Sequence, residues 1–209
     1  MGLFTQEIWR VNMAQSRFNN ASLGRRTWLG IAALTLALLS GPVAATEDRD
    51  RAYFTDLAFT DHNGQAQRFY TDMLKDKVVL INFVFTNCVG ACPVMTRNMV
   101  SIKDKLGDQF GNEVFFVSIS IDPANDTPAA LREFAEKFSA IDPGWHFITA
   151  DPTTVETVVG RLGQYNENVE AHSTLMLAAN TRTKHWIKLR PGLPPEAITM
   201  KLQELLKEG

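Results

Sequence analysis

Val78-Val79-Leu80-Ile81-Asn82-Phe83-Val84-Phe85-Thr86-Asn87-Cys88-Val89-Gly90-Ala91-Cys92-Pro93 is the stretch whose reading decides the fold. Its first half is a continuous run of β-branched, aliphatic and aromatic residues, the pattern of a strand buried on both faces. A helix-like stretch opening at Pro93 follows, with Met95, Met99, Ile102 and Leu106 on one face. The two cysteines of the chain, Cys88 and Cys92, therefore fall on a strand-to-helix turn. Free backbone N–H groups and the positive end of the helix dipole favour thiolate over thiol at such a place. Two thiolates so close in sequence either cycle between dithiol and disulfide or hold a soft metal ion.

Outward from this turn, Val114 to Ser120 reads as a second central strand. Thr127 then caps a helix with Pro128 in its first turn and Leu131, Phe134, Ala135 and Phe138 on its core face. Trp145 to Thr149 is a strand, and Asp151-Pro152 opens a helix ended by Gly163. Ser173 to Ala178 and His185 to Leu189 are strands joined closely enough to be antiparallel neighbours, and a last helix begins near Pro194-Pro195. Upstream, Asn63-Gly64 between strand-like flanks signals a β-hairpin. A βαβ unit followed by ββα, with the dithiol opening the first helix, is an α/β thioredoxin-like arrangement. The N-terminal hairpin precedes it, and the elements between Asp122 and Gly163 form a helix–strand insertion.

Before the domain, Arg25-Arg26, the apolar run Trp28 to Leu39, the breaker Ser40-Gly41-Pro42 and the small residues Val43-Ala44-Ala45 stand in the order of an export signal. Residues 1–45 are expected to be a cleaved signal or an uncleaved membrane anchor, with the paired arginines also suggesting the twin-arginine route and Met13 an alternative start. Residues 46–55 are expected to be a charged linker, and 56–209 a single domain outside the cytoplasm, periplasmic or equivalent. Membrane contact is expected only through the N-terminal segment if it stays. The chain of 209 residues is 45% hydrophobic and 21% charged, with net charge −2, and the signal holds four arginines against one acid. The exported part is thus more acidic than the whole, which excludes a basic nucleic-acid surface. A disulfide closing so short a loop removes little chain entropy, so the cysteines are better explained by chemistry than by stapling.

Three segments together resemble the SCO/SenC family of thioredoxin-fold copper proteins that help assemble the copper centre of cytochrome c oxidase. They are Phe85 to Pro93, Ser118-Ile119-Ser120-Ile121-Asp122-Pro123-Ala124-Asn125-Asp126-Thr127-Pro128, and His172-Ser173-Thr174-Leu175-Met176-Leu177. The resemblance spans about Asp56 to Leu206. It implies copper, Cu(I) or Cu(II), held by Cys88, Cys92 and His172. It also implies a partner that is the copper-site subunit of a respiratory oxidase or a related cuproprotein, with an upstream copper donor and a thiol reductant. Two positions depart from the family pattern: Val89 stands where many members have proline, and Ala171 where many have an acid. The second change removes a partner for the imidazole.

The chemistry of the residue types agrees, since thiolates select Cu(I) and imidazole suits Cu(II). The competing reading is a thiol–disulfide oxidoreductase with Cys88 and Cys92 as its catalytic pair, reducing a partner's cysteines before metal loading. An oxidoreductase of this fold would carry a proline just before the strand at Ser173, where this chain has His172. A peroxiredoxin would need threonine where Phe85 stands. His62, His146 and His185 read as surface or satisfied polar residues, and Met95 and Met99 as core. Asp122 and Asp126 read as turn and cap chemistry, and Arg97, Lys103 and Lys105 as a solvated helix face.

Overall fold

The computed structural model describes residues 49–171 and 174–208. Seven strands make one sheet: β1 (Ala58–Asp61), β2 (Ala66–Arg68), β3 (Val78–Val84), β4 (Val114–Ser120), β5 (Trp145–Thr149), β6 (Met176–Asn180) and β7 (His185–Leu189). Their spatial order is β2-β1-β5-β4-β3-β6-β7. β3, β4 and β5 run parallel, and the remaining pairs are antiparallel. Among the described residues, four α-helices follow the first strands, α1 (Ala91–Leu106), α2 (Pro128–Lys137), α3 (Pro152–Arg161) and α4 (Pro195–Leu206), and residues 49–54 are also helical.

β3 is central and every one of its residues is buried, as its unbroken apolar run requires. Alternation along the strands divides the core in two. Val78, Leu80, Val84, Phe116, Trp145 and Phe147 face α1, α2 and α4, while Val79, Ile81, Phe83, Val117, Ile119 and Ile148 face α3 and the turn of π-helix at Phe69–Leu74. Asn82 interrupts the apolar run without cost to register, because its Oδ1 accepts from Ser118 Oγ at 2.6 Å. Ser118 Oγ in turn accepts from Trp145 Nε1 at 2.8 Å, so a buried polar chain crosses three strands.

The hairpin forms where Asn63-Gly64 places it, with Gly64 at φ +78° and Asp61 Oδ1 accepting from the amides of Asn63 and Gln65 at 2.9 Å each. Thr127 and Asp151 cap α2 and α3 as expected, their side chains accepting from Ala130 and Thr154 amides. Three expectations shift. α1 opens at Ala91, two residues before Pro93, for a reason that lies in the site itself. The strand expected over Ser173 to Ala178 is Met176–Asn180, and its last residue, Asn180, both pairs with Val78 and turns the chain by accepting from the Arg182 amide. Residues 49–54, expected to be linker, are helical and docked: Phe54 stacks on Trp186 with centroids 4.9 Å apart, and Arg161 binds the carbonyls of Ala52 and Tyr53. The expected signal or anchor over 1–45 lies outside the described residues. No described helix is long and apolar enough to cross a membrane.

Candidate metal centre

The central strand β3 ends at Val84, and the chain turns through Phe85 to Gly90 before entering α1. Gly90, the cap residue of α1, has no side chain to satisfy the first amides of the helix. The sulfur of Cys88 takes that place: the Cys92 amide donates to Cys88 Sγ at 3.4 Å. This is why the helix begins before Pro93, with Cys92 already in its first turn. Both cysteines are free thiols.

Their environments differ. Cys88 is half-buried and lies beside Val89, which at 97% exposure marks the tip of the turn as open to a partner. Burial alone would raise the Cys88 thiol, but the Cys92 amide and thiol and the amides of Gly90 and Ala91 outweigh it and hold its pKa below the ordinary value. Cys92 is fully buried against Met95 and Met99, and burial pushes its thiol up to about 12, with the neighbouring Cys88 sulfur adding to the rise and the Phe85 amide opposing it. The two thiols are thus pushed apart, Cys88 toward the thiolate and Cys92 toward the protonated form.

His172 lies outside the described residues, as does Ser173. The elements around them are described: a 3-10 turn at Val169–Ala171 precedes them and β6 follows. β6 pairs antiparallel with β3, Ile81 opposite Leu177, so β6 starts at the end of the sheet where β3 delivers Cys88. Among the described residues there is no group of three or more His, Cys, Asp or Glu side chains able to hold a metal. The described chain therefore supplies two sulfur donors at this turn, and their softness suits a thiophilic ion.

Of the other histidines, His62 and His185 have hydrogen-bond partners, whereas the buried His146 Nδ1 has none among the described residues. His62 Nδ1 accepts from the Phe147 amide at 3.3 Å, and His185 meets Glu208 at 2.8 Å. His146 Nδ1 lies 3.7 Å from Asp61 Oδ2. Burial lowers the pKa of both His62 and His146. Met95 and Met99 are core, as expected. Lys103 and Lys105, read as solvated, pair with Asp142 at 3.8 Å and Glu196 at 2.8 Å.

One residue at the site was missed. Asp126 is 1% exposed and grips the cysteine turn: its Oδ1 accepts from the Thr86 amide at 3.0 Å and from Thr86 Oγ1 at 2.6 Å, and its Oδ2 accepts from Ser120 Oγ at 2.6 Å. An aspartate just before Thr-Pro at a helix start is so common as capping chemistry that the sequence hides its second use. The cap is Thr127, which leaves the Asp126 carboxylate free to turn inward.

Known proteins bear on this arrangement. Residues 46–207 match the family model described as SCO1/SenC. The SCO1 protein homolog of Bacillus subtilis is 36% identical over 91 residues, which is 44% of this chain and 47% of that protein. The chain thus matches about half the length of this curated relative. Among solved structures, a SCO1/SenC family lipoprotein from Bacillus anthracis aligns with a TM-score of 0.62 at 26% identity, over 71% of this chain and 92% of that one. Yeast Sco1, solved with copper bound, aligns with a TM-score of 0.61 at 22% identity over 73% of this chain and 87% of that one. BsSco, described as having a disulfide switch and as a member of the Sco family of cytochrome c oxidase assembly proteins, aligns with a TM-score of 0.61 at 24% identity over 73% and 92%. These likenesses make the fold thioredoxin-like. With the family model covering nearly all of the described domain, the chain belongs to the SCO1/SenC family.

Proposed function

We propose that Cys88, Cys92 and His172 take up one copper ion as cargo, outside the cytoplasm, and that the protein uses it to prepare the copper site of a cytochrome oxidase subunit. The observation that carries this reading is the pair of sulfurs at the open N-terminus of α1, with the Cys92 amide 3.4 Å from Cys88 Sγ. Copper bound to yeast Sco1 and the oxidase-assembly role of the Sco family support it. The Cys88 thiolate would make first contact, and coordination would then displace the proton of Cys92. His172 stands four residues before β6 in sequence, and β6 begins at the cysteine end of the sheet. Its imidazole would complete a two-sulfur, one-nitrogen set able to hold Cu(I) or Cu(II) with little rearrangement. A Cys88–Cys92 disulfide offers neither charge nor a strong donor pair, so oxidation of the pair by a partner disulfide, which takes the two electrons and is released as two partner thiols, would gate loading. The Bacillus anthracis relative is a lipoprotein, which agrees with residues 1–45 serving as export signal or anchor.

The unequal thiols favour a second reading, thiol–disulfide exchange. The Cys88 thiolate would attack a partner disulfide and release one partner thiolate. Cys92 would then lose its proton and attack Cys88 sulfur, freeing the second. A pulse of alkylating agent on apo and copper-loaded protein separates the two readings. The expected outcome is rapid labelling of Cys88 in the apo form, slow labelling of Cys92, and protection of both by one equivalent of copper. His172→Ala should weaken copper binding severely, with His62→Ala and His185→Ala near neutral. Equal labelling of apo and copper-exposed protein would remove the cysteines from the metal site and leave the exchange reading.

A further inference from the structure

We infer that Asp126 is a positioning residue that sets the place of Cys88 by clamping the peptide unit between Phe85 and Thr86. This rests on the reading that Cys88 and Cys92 grip copper together. A trans peptide is planar, with its N–H and C=O pointing in opposite directions. The N–H of this unit belongs to Thr86 and donates to Asp126 Oδ1 at 3.0 Å. The C=O belongs to Phe85 and accepts from the Cys88 amide at 3.1 Å. One rigid plane therefore connects the carboxylate to the cysteine backbone.

The clamp has firm footings. Ser120, which donates to Asp126 Oδ2 at 2.6 Å, is the last residue of β4 and pairs with Val84, the last residue of β3. The Asp126 amide donates to the Asp122 carbonyl at 2.9 Å, and Thr127 starts α2 directly afterwards. The Thr86 hydroxyl adds a second donor to Oδ1 at 2.6 Å, so the carboxylate accepts three hydrogen bonds from neutral donors and is buried at 1% exposure. A turn that must hold one sulfur at a fixed bite from the other gains from such an anchor, because the sulfur itself lies near the exposed tip at Val89. The helix–strand insertion is thereby tied to the site: its first residues reach back to fix the turn that carries Cys88.

The test uses Asp126→Ala, Asp126→Asn and Thr86→Val in the intact chain, each read two ways. Copper affinity is measured by competition with a chromophoric Cu(I) chelator. Exchange of the Cys88 backbone amide is measured in the apo protein, with the β3 amides as a control for the fold. Asp126→Ala should weaken Cu(I) binding by between about tenfold and a hundredfold, the range for partners that orient metal ligands. It should also speed Cys88 amide exchange by at least about tenfold while the β3 amides stay protected. Asp126→Asn keeps an acceptor for Thr86 and gains a donor for Ser120 Oγ, so it should bind within about threefold of wild type. Thr86→Val removes one donor and should give an intermediate loss; it carries the test should Asp126→Ala not fold. Wild-type affinity together with wild-type Cys88 exchange in a folded Asp126→Ala or Thr86→Val would overturn the inference, as would a loss of affinity with Cys88 exchange unchanged. If the wild-type protein takes up no copper, the proposed cargo fails and the exchange data alone decide the clamp.

Discussion

At the scale of single residues, the two cysteines are a study in how position decides chemistry. Cys88 and Cys92 are the same side chain four residues apart, yet one is surrounded by amides and the other by apolar side chains. The consequence reaches stability. Cys92 keeps its proton in the folded chain until about pH 12, whereas in an unfolded chain it ionises near 9.0. Between these values unfolding releases a proton that the folded state retains, so stability falls as pH rises, by at most about 1.4 kcal/mol per unit. Cys88, with its folded pKa lowered from 9.0, acts in the opposite sense, adding stability as pH rises to and just past 9, and its slope fades above that as both states ionise. We expect apo wild type to lose denaturant resistance between pH 9 and 11 and Cys92→Ser to lose distinctly less. Parallel losses in the two proteins, from urea titrations at both pH values, would show that Cys92 does not hold its proton.

At the scale of elements, hydrophobic pattern made the strands legible and local chemistry hid their margins. Val114–Ser120, Trp145–Thr149 and His185–Leu189 stand where their composition put them, because each is a short β-rich run bounded by turn residues. The start of α1 was misplaced because pattern cannot show that a cysteine sulfur will act as the cap acceptor. The π-helical turn at Phe69–Leu74 gave no periodic signal, and the helical residues 49–54 read as charged linker because their apolar partner, Trp186, lies on β7 far along the chain. A close approach of two glycines was equally invisible. A Cβ at Gly144 would stand 2.7 Å from Gly111 Cα and 3.0 Å from the Phe110 ring, where the Gly144 carbonyl accepts from the Phe116 amide at 2.8 Å. Backbone atoms cannot retreat there as a flexible side chain can. Gly144→Ala should therefore destabilise the fold by about 1–3 kcal/mol through overpacking, seen as a lower melting temperature, whereas Gly90→Ala, with open space around its Cβ, should cost less.

At the scale of the whole molecule, the sheet brings distant segments to one end. β3 delivers the cysteine turn, β4 and the residues before α2 clamp it through Ser120 and Asp126, and β6 begins beside it. The thioredoxin-like order was legible because βαβ and ββα units each leave a pattern in sequence. The two sulfur positions were legible because cysteine is scarce in this chain; the Asp126 clamp was not, because it exists only when residues 40 positions apart meet. The SCO1/SenC family gives the molecule its thioredoxin-like frame, and the account stands or falls on what that frame holds. The most direct test is X-ray absorption at the copper edge of reduced protein loaded with one equivalent of Cu(I). The account predicts a shell of two sulfurs and one imidazole nitrogen, with the sulfur signal halved in Cys88→Ser and the nitrogen signal lost in His172→Ala. A shell without sulfur, or a nitrogen signal that persists in His172→Ala, would contradict it.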